Sequence, residues 1–156
     1  MTEHALSKGE KVLASLRSPP ELADLQGRYG LDQLRVAKLD VTAPDEITRA
    51  FREAANAFGR VDVVFNNAGR SVVGEVEGTP PDAARALFEV NFWGATNVST
   101  EAVRVFRDVN APRGGVLLTV SSYLGVKAVP RVGYYAATKH GTSYALSGSA
   151  GADVPW

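Results

Sequence analysis

The protein has 156 residues, of which 45% are apolar, and its 17 basic residues equal its 17 acidic residues. This length predicts one domain, and the balanced charge argues against a nucleic-acid-binding protein, which needs clustered Lys and Arg. Because the sequence has no Cys, only two His and no long apolar run, we expect no disulfide, no Cys nucleophile, no metal site and no membrane helix. It also shows no signal peptide, so we expect a soluble cytoplasmic protein.

Apolar runs and turn residues predict an alternation of strands and helices. Strands are predicted at 11–16, 34–40, 61–65 and 115–120, and helices at 20–29, 44–58, 80–90, 95–107 and 134–147. Strands separated by crossover helices imply a parallel, doubly wound α/β sheet. The run 147–156 is Gly-rich and without pattern, so we expect a disordered tail after a domain over residues 1–146.

Two of these elements carry more detailed predictions. The helix over 44–58 is expected to have Thr42 as its cap, Pro44 in its first turn and Gly59 after its end. Its apolar residues recur every three or four positions and predict one buried face: Ile47, Ala50, Phe51, Ala54 and Phe58. The strand over 61–65 is almost wholly apolar, which is typical of a strand covered on both faces.

The most informative run is Asn66-Asn67-Ala68-Gly69, directly after the strand over 61–65. Two small amides and a glycine allow a flat ligand to approach the backbone closely. Open α/β sheets bind their ligands at this end of their strands. Taken alone, the run is interpreted equally well as an ordinary turn, since Asn and Gly are common in turns.

The second feature is the pair Tyr135 and Lys139. Residues four apart share a helix face, and a nearby ammonium stabilises a phenolate, which makes a Tyr usable as an acid and base. The alternative is a Tyr and a Lys on a solvated helix surface without a function, which would have the same spacing. Tyr123 and Lys127 also have this spacing, but Gly125 lies between them and a loop is predicted there, so we assign that pair no function.

Ser122 and Asn91 extend this set. Ser122 ends a predicted strand thirteen residues before Tyr135, where its hydroxyl could polarise a carbonyl group that the Tyr protonates. The alternative is that Ser122 caps a turn. Asn91 lies inside a helical stretch, so its side chain is expected to contact backbone or water, or else to mark a break in the helix.

Together, NNAG at 66–69, Asn91, Ser122 and the YxxxK motif ending at Lys139 resemble the classical short-chain dehydrogenase/reductase family, in its order and with close to its spacings. The resemblance extends to about His140. It implies a Rossmann-like domain that binds NAD(P) and oxidises or reduces a small secondary alcohol or ketone.

The resemblance also implies a role for each catalytic position. Tyr135 would donate or accept the proton, and Lys139 would assist it and bind the nicotinamide ribose. Ser122 would hold the substrate oxygen. Asn91 would order a water molecule in the proton relay.

For the cofactor, the resemblance places Asn67, with Ala68 and Gly69, along the bound molecule, and Asp40 with Val41 around its adenine. Arg17 follows the first predicted strand, where NAD-preferring relatives carry an acidic residue for the ribose hydroxyls. A guanidinium suits a 2′-phosphate, so we predict NADP(H) in preference to NAD(H). A solvated loop residue is the alternative interpretation of Arg17.

The sequence departs from the family pattern at both ends. It has no TGxxxGxG turn and no strand before it, and residues 1–9 resemble the latter half of the helix that follows that turn. The missing strand is the central one, so we expect a gap of roughly 10 Å between the strands at 11–16 and 61–65. After His140 the residues are Gly141-Thr142-Ser143, where the family continues an apolar helix. We therefore expect a truncated domain, either real or an artefact of the gene model.

Three functions remain open from the sequence. The first is an NADP(H)-dependent oxidoreductase, and the second is a non-catalytic remnant of one. The third is an interaction protein or homo-oligomer. In the family that the sequence resembles, the helices within 80–109 and the tyrosine-bearing helix commonly build oligomers, and an unpaired inner strand favours pairing.

Overall fold

A computed structural model describes residues 1–147, so the predicted tail over 147–156 lies outside the described residues except for Ser147, which is the last residue of a helix. The strands are β1 (Val12–Leu16), β2 (Leu34–Lys38), β3 (Val63–Asn66) and β4 (Val116–Thr119). The α-helices are α1 (Thr2–Ser7), α2 (Ala23–Gln26), α3 (Pro44–Phe58), α4 (Pro81–Phe88), α5 (Ala95–Asp108) and α6 (Gly133–Ser147). A π-helical turn, Glu89–Gly94, joins α4 to α5, and two 3-10 turns cover Pro19–Leu22 and Tyr123–Gly125.

The described strands form two separate sheets of two strands each. β1 pairs with β2 and β3 pairs with β4, and both pairs are parallel. The predicted parallel α/β organisation is therefore confirmed, and so is the break between the first and third strands. Within residues 1–147 no strand bridges β1 and β3.

The prediction that the strand over 61–65 is covered on both faces was wrong. Val64 and Leu117 pack against the core that α3 and α5 form. The alternate residues of β3 and β4 face the other way and are about half exposed: Val63, Phe65, Val116 and Leu118. Their apolar character fits a covered strand, but within residues 1–147 no element covers this face.

Two apolar cores hold the sheets and helices together. The larger one lies between α3 and α5 and contains Val41, Ile47, Phe51, Val98, Ala102, Val105 and Phe106. The smaller one lies under α1 and α2 and contains Leu6, Ala14, Leu25 and Leu34. The predicted buried face of α3 is thus confirmed at its first three positions, while Ala54 and Phe58 are half-buried.

Helix boundaries required two corrections. Thr42 does not cap α3, because its hydroxyl donates to Asp40 Oδ1 at 2.8 Å and Ala43 takes the cap position without a side-chain bond. The helix predicted over 20–29 is a 3-10 turn followed by α2, which stops before Gly27. Gly59 ends α3 as predicted, with a φ of 84° that favours glycine.

The structure has two halves, one around the β1–β2 sheet and one around the β3–β4 sheet. Close packing at Gly94 generates a testable prediction about how these halves are joined. A Cβ at Gly94 would lie 2.6 Å from Val41 Cγ2 and 3.1 Å from the Val41 carbonyl oxygen. Gly94→Ala should therefore lower the free energy of unfolding by about 1–3 kcal/mol through overpacking. Gly27→Ala is the matched control, since a Cβ there meets nothing closer than 3.6 Å. Equal denaturation midpoints for the two variants would contradict this packing argument.

Candidate active site

The π-helical turn places Asn91 at the centre of a buried hydrogen-bond network. Asn91 is only 1% exposed. Its Oδ1 accepts from the Arg70 backbone N–H at 2.9 Å, and its Nδ2 donates to the Arg70 carbonyl at 2.8 Å. Nδ2 also donates to Thr138 Oγ1 on α6 at 3.1 Å. The expected backbone contacts are confirmed, whereas the alternative of a broken helix is wrong because the helix continues as a wider turn.

In the run 66–69 at the end of β3, the first residue is buried and the other three are exposed. Asn66 is buried, and its Nδ2 donates to the Ala95 carbonyl at 2.9 Å and to Ser99 Oγ at 3.1 Å. Asn67, Ala68 and Gly69 are exposed. The first Asn therefore fastens the loop to α5, and the next three residues are accessible to solvent.

Gly69 lies beside two polar side chains from other elements. A Cβ built at this position would be 3.4 Å from Asn91 Oδ1 and 3.6 Å from Lys139 Nζ. The loop after β3, the π-helical turn and α6 therefore converge at one point. Three of the residues that the sequence singled out are brought together there.

Lys139 is 6% exposed, so the interpretation as a solvated surface pair was wrong for this residue. Its Nζ donates to the Val120 carbonyl at 2.8 Å, just after β4 ends. Tyr135 lies one helical turn earlier and is half-buried, and its hydroxyl has no hydrogen-bond partner among residues 1–147. The ammonium is thus anchored at the end of the sheet while the phenol keeps its hydroxyl available.

The second Tyr–Lys pair lies outside any α-helix, as predicted. Tyr123 begins a 3-10 turn, and Lys127 Nζ lies 5.9 Å from the centre of its ring. Both side chains are exposed. Identical spacing therefore produces a buried lysine in one pair and a solvated lysine in the other.

Ser122 caps the same 3-10 turn, and its Oγ accepts from the Leu124 backbone N–H at 3.2 Å. The capping interpretation is confirmed. This bond uses one lone pair of the oxygen and leaves the hydroxyl proton free to donate. Ser122 follows Val120 by two residues, so it lies at the same end of β4 as the Lys139 contact.

The predicted adenine end lies on the other sheet. β1 and β2 end side by side, with Leu16 paired to Lys38, and Arg17 and Asp40 follow them. Thr42 bonds the Asp40 carboxylate through its backbone N–H and its hydroxyl, and these bonds lower the pKa of Asp40, as do the positive charges of Arg17 and Lys38. Arg17 is exposed. A guanidinium and a carboxylate therefore border this end of the site.

Val41 has a different environment from the one implied for an adenine contact. It is only 9% exposed and packs in the α3–α5 core and against Gly94. Its side chain joins the two halves of the structure. An adenine contact at this position is therefore restricted to the backbone and to the small exposed part of the side chain.

A cavity of about 310 Å³ borders Lys139 between β4 and α6. Thr119 lines it, and its Oγ1 is buried without a hydrogen-bond partner in the described part of the chain. Sequence reasoning missed Thr119, and it also missed Thr138 and Thr142, which bond Asn91. The one available signal was spacing, because Thr138 and Thr142 are four residues apart on α6.

Residues 1–147 contain neither a candidate metal cluster nor a candidate membrane helix. No group of three or more His, Cys, Asp or Glu in that range could hold a metal ion. No helix there is both long enough and apolar enough to span a bilayer.

The family model that matches this chain is described as short chain dehydrogenase, and the match spans residues 1–150. The chain belongs to the short-chain dehydrogenase family. Among curated proteins, oxidoreductase calM from Penicillium decumbens is 35% identical, and the alignment covers 89% of this chain and 46% of the relative. Versicolorin reductase stcU from Emericella nidulans is 33% identical, with 85% of this chain and 50% of the relative covered.

Solved structures agree with this family. A short-chain dehydrogenase from Streptomyces avermitilis has a TM-score of 0.84 at 30% identity, covering 94% of this chain and 53% of its own. One from Bacillus anthracis, at 19% identity, shows the fold alone, with a TM-score of 0.83 and coverages of 93% and 60%. The predicted family and its partial Rossmann-like α/β fold are confirmed. The chain spans about half the length of the curated relatives it matches.

The lowered pKa of Asp40 generates a prediction about acid stability. A carboxyl group whose pKa is lower in the folded state stabilises that state fully above its ordinary value of 3.8. The contribution is lost as pH falls through the lower folded-state pKa. Asp40→Asn keeps an acceptor for Thr42 but removes the charge, so its stability should fall less steeply than that of the wild type as the pH drops below about 4.

The measurement is urea denaturation of the protein at a series of acid pH values. Asp24→Asn is the matched control, because Asp24 is exposed and its carboxylate has no hydrogen-bond partner among residues 1–147. If Asp40→Asn and Asp24→Asn gave the same pH profile, the assigned surroundings of Asp40 would be wrong.

Proposed function

We propose that this chain carries the catalytic site and both ends of the cofactor site of an NADP(H)-dependent oxidoreductase. Its substrate would be a small ketone or secondary alcohol. The observation that carries the proposal is the convergence of Gly69, Asn91 and Lys139 where β3 and β4 end. Ligands of open α/β sheets bind at this end of the strands.

The residues present fit two ends of such a cofactor. At the nicotinamide end, Asn67, Ala68 and Gly69 are exposed, and a side chain at Gly69 would project toward Lys139 and narrow the approach. At the adenine end, Arg17 offers a guanidinium for a 2′-phosphate. The sequence contains no TGxxxGxG turn, so our proposal assigns no residue to the pyrophosphate.

In the reducing direction, a nicotinamide held by Gly69 and Lys139 would supply the hydride, with its two electrons, that reduces the carbonyl carbon. The Tyr135 hydroxyl donates its proton to the carbonyl oxygen, so that an alcohol forms and Tyr135 becomes a phenolate. The Lys139 ammonium stabilises that phenolate from the next turn of α6. The free hydroxyl proton of Ser122 bonds the substrate oxygen and orients it.

One hydrogen-bond acceptor position of the Asn91 side chain remains available for the proton relay. Both hydrogens of its Nδ2 are used by the Arg70 carbonyl and Thr138, and one lone pair of Oδ1 is used by the Arg70 N–H. The second lone pair of Oδ1 is free, and this atom lies on the side that faces Gly69. A water molecule bound there would connect Asn91 with the Lys139 ammonium and pass the proton that restores Tyr135.

A second candidate, self-association without catalysis, is favoured by one observation. Val63, Phe65, Val116 and Leu118 form an apolar face on the β3–β4 sheet that is about half exposed. Exposed apolar patches of this kind are used for association. A protein with this role alone would form oligomers and would not respond to a nicotinamide cofactor.

Cofactor binding decides between these candidates. We expect NADPH to raise the thermal midpoint of the wild-type protein, and we expect the fluorescence of NADPH to change on binding. NADH should produce a smaller change in both signals. Arg17→Ala should weaken NADPH binding by about ten-fold or more, because a hydrogen bond to a charged group contributes about 1.5–3 kcal/mol, and should leave NADH binding unchanged.

Arg85→Ala is the matched control for this titration, because Arg85 is an exposed arginine on α4. A wild-type protein that gives no signal at millimolar cofactor would refute the oxidoreductase proposal. Equal losses for NADPH and NADH in Arg17→Ala would refute the assigned role of Arg17.

Tyr135→Phe tests the proton donor. The variant lacks the only proton that our mechanism gives to the substrate oxygen, so turnover should fall by about 10²–10⁴-fold. The thermal midpoint should change little, because the Tyr135 hydroxyl has no partner in the described structure. Tyr123→Phe is the matched control and should retain full turnover. Turnover in Tyr135→Phe equal to that of the control would show that another group supplies the proton.

A further inference from the structure

The two residues after His140, which depart from the family pattern, both contact the π-helical turn. Thr142 is 5% exposed. Its Oγ1 lies 2.8 Å from the Asn91 carbonyl oxygen and 2.8 Å from the Thr138 carbonyl oxygen. A hydroxyl has one proton, so these two carbonyls share it. The second contact is the ordinary bond of a helical Thr to the preceding turn, but the first joins two different helices.

Gly141 makes this cross-helix bond possible. A Cβ at Gly141 would lie 3.3 Å from Phe92 Cδ2, which is tighter than an ordinary contact. The glycine therefore allows α6 to approach the turn closely enough for the Thr142 hydroxyl to reach the Asn91 backbone. In the pair Gly141-Thr142, the small residue allows α6 to approach the turn, and the Thr hydroxyl donates a hydrogen bond to the backbone that is thereby brought within reach.

The Asn91 backbone is the part of the site that most needs such support. A π-helical turn is rare and is found mostly as a single turn at functional sites. The Asn91 side chain is held from the other side by Thr138, whose hydroxyl accepts from Nδ2 and donates to the Tyr135 carbonyl at 2.7 Å. Two Thr hydroxyls on one face of α6 thus fix the side chain and the backbone of Asn91.

We propose that Thr142 is a positioning residue: by bonding the Asn91 carbonyl, it holds the π-helical turn in the geometry that directs Asn91 Oδ1 toward Gly69 and Lys139. Its effect on turnover rests on the proposed function. Its effect on the Asn91 side chain does not, because that is a property of the folded chain alone.

The experiment compares Thr142→Val, which removes the hydroxyl, with Thr142→Ser, which retains it. The readout is solvent exchange of the assigned Asn91 side-chain amide protons by NMR spectroscopy. We expect exchange to become at least about ten-fold faster in Thr142→Val and to stay within about two-fold of wild type in Thr142→Ser. Unchanged exchange in Thr142→Val would overturn the proposal.

Thr96→Val is the matched control. Thr96 lies just after the same turn, and its hydroxyl bonds the carbonyls of Phe92 and Trp93 but not that of Asn91. This variant should leave the exchange of the Asn91 amide unchanged. An equal acceleration in Thr96→Val would mean that loss of any nearby hydroxyl loosens the turn, and it would refute a specific role for Thr142.

A turnover measurement separates this proposal from the proposed function. Thr142→Val should lower kcat by about ten-fold with little change in the KM for NADPH, because the variant alters the position of Asn91 and not the binding of the cofactor. Thr142→Ser should keep the wild-type kcat. A wild-type protein without turnover refutes the proposed function, while the exchange experiment still decides the role of Thr142.

If Thr142→Val does not fold, the wild-type protein decides the question. A Thr142 hydroxyl proton that exchanges slowly and shows cross-peaks to Asn91 would support the proposal. A Thr142 hydroxyl proton that exchanges as fast as that of the exposed Ser71 would overturn it.

Discussion

The bonds between the Asn91 side chain and the Arg70 backbone are the interaction on which the rest of the site depends. An amide that is 1% exposed has lost its bonds to water, and each buried polar group left without a partner costs about 1–3 kcal/mol. Arg70 supplies both a donor and an acceptor, so the loop after β3 is fastened to the π-helical turn by two bonds. Thr138 then joins α6 to the same amide. One side chain thereby connects the three elements that meet at Gly69.

Because the strands form two separate sheets, helices join the two halves of the structure. In a continuous sheet, strand-to-strand hydrogen bonds would connect β1 with β3, but the described strands do not pair across that position. The connection is made by the core between α3 and α5 and by the contact of Val41 with Gly94. Gly94 ends the π-helical turn that holds Asn91. The same turn therefore holds the site together and links the two sheets.

Sequence patterns predicted the features that depend on local spacing. The alternation of strands and helices, the buried face of α3 and the shared face of Tyr135 and Lys139 all follow from periodicity along one element. The motif positions also located Asn91 within a helical stretch and Ser122 just after the fourth strand. These features need no knowledge of which element lies opposite.

Features that depend on a neighbour in space could not be predicted in this way. Thr42 was expected to cap α3, but the Asp40 carboxylate competes for its hydroxyl. Asn66 and Asn67 have the same chemistry, and only the position of α5 decides that the first is buried. The exposure of β3 and β4 reflects the absence of a covering element within residues 1–147, which the apolar pattern of a strand does not record.

The two ends of the proposed cofactor site differ in how far they are fixed before a ligand binds, and this difference bears on selectivity. Lys139 is buried and bonded, so it loses little conformational freedom on binding. Arg17 is exposed and makes no hydrogen bond within residues 1–147, so ordering it on a 2′-phosphate costs up to about 2 kcal/mol of side-chain entropy. The charged hydrogen bonds it gains contribute about 1.5–3 kcal/mol each. At that full cost, one such bond falls short of the roughly 1.4 kcal/mol that a ten-fold preference requires, so the ten-fold effect expected for Arg17→Ala corresponds to a two-bond contact from the planar guanidinium. In our proposal, selectivity therefore depends on whether Arg17 bonds the phosphate through one nitrogen or two, while the catalytic end is formed in advance.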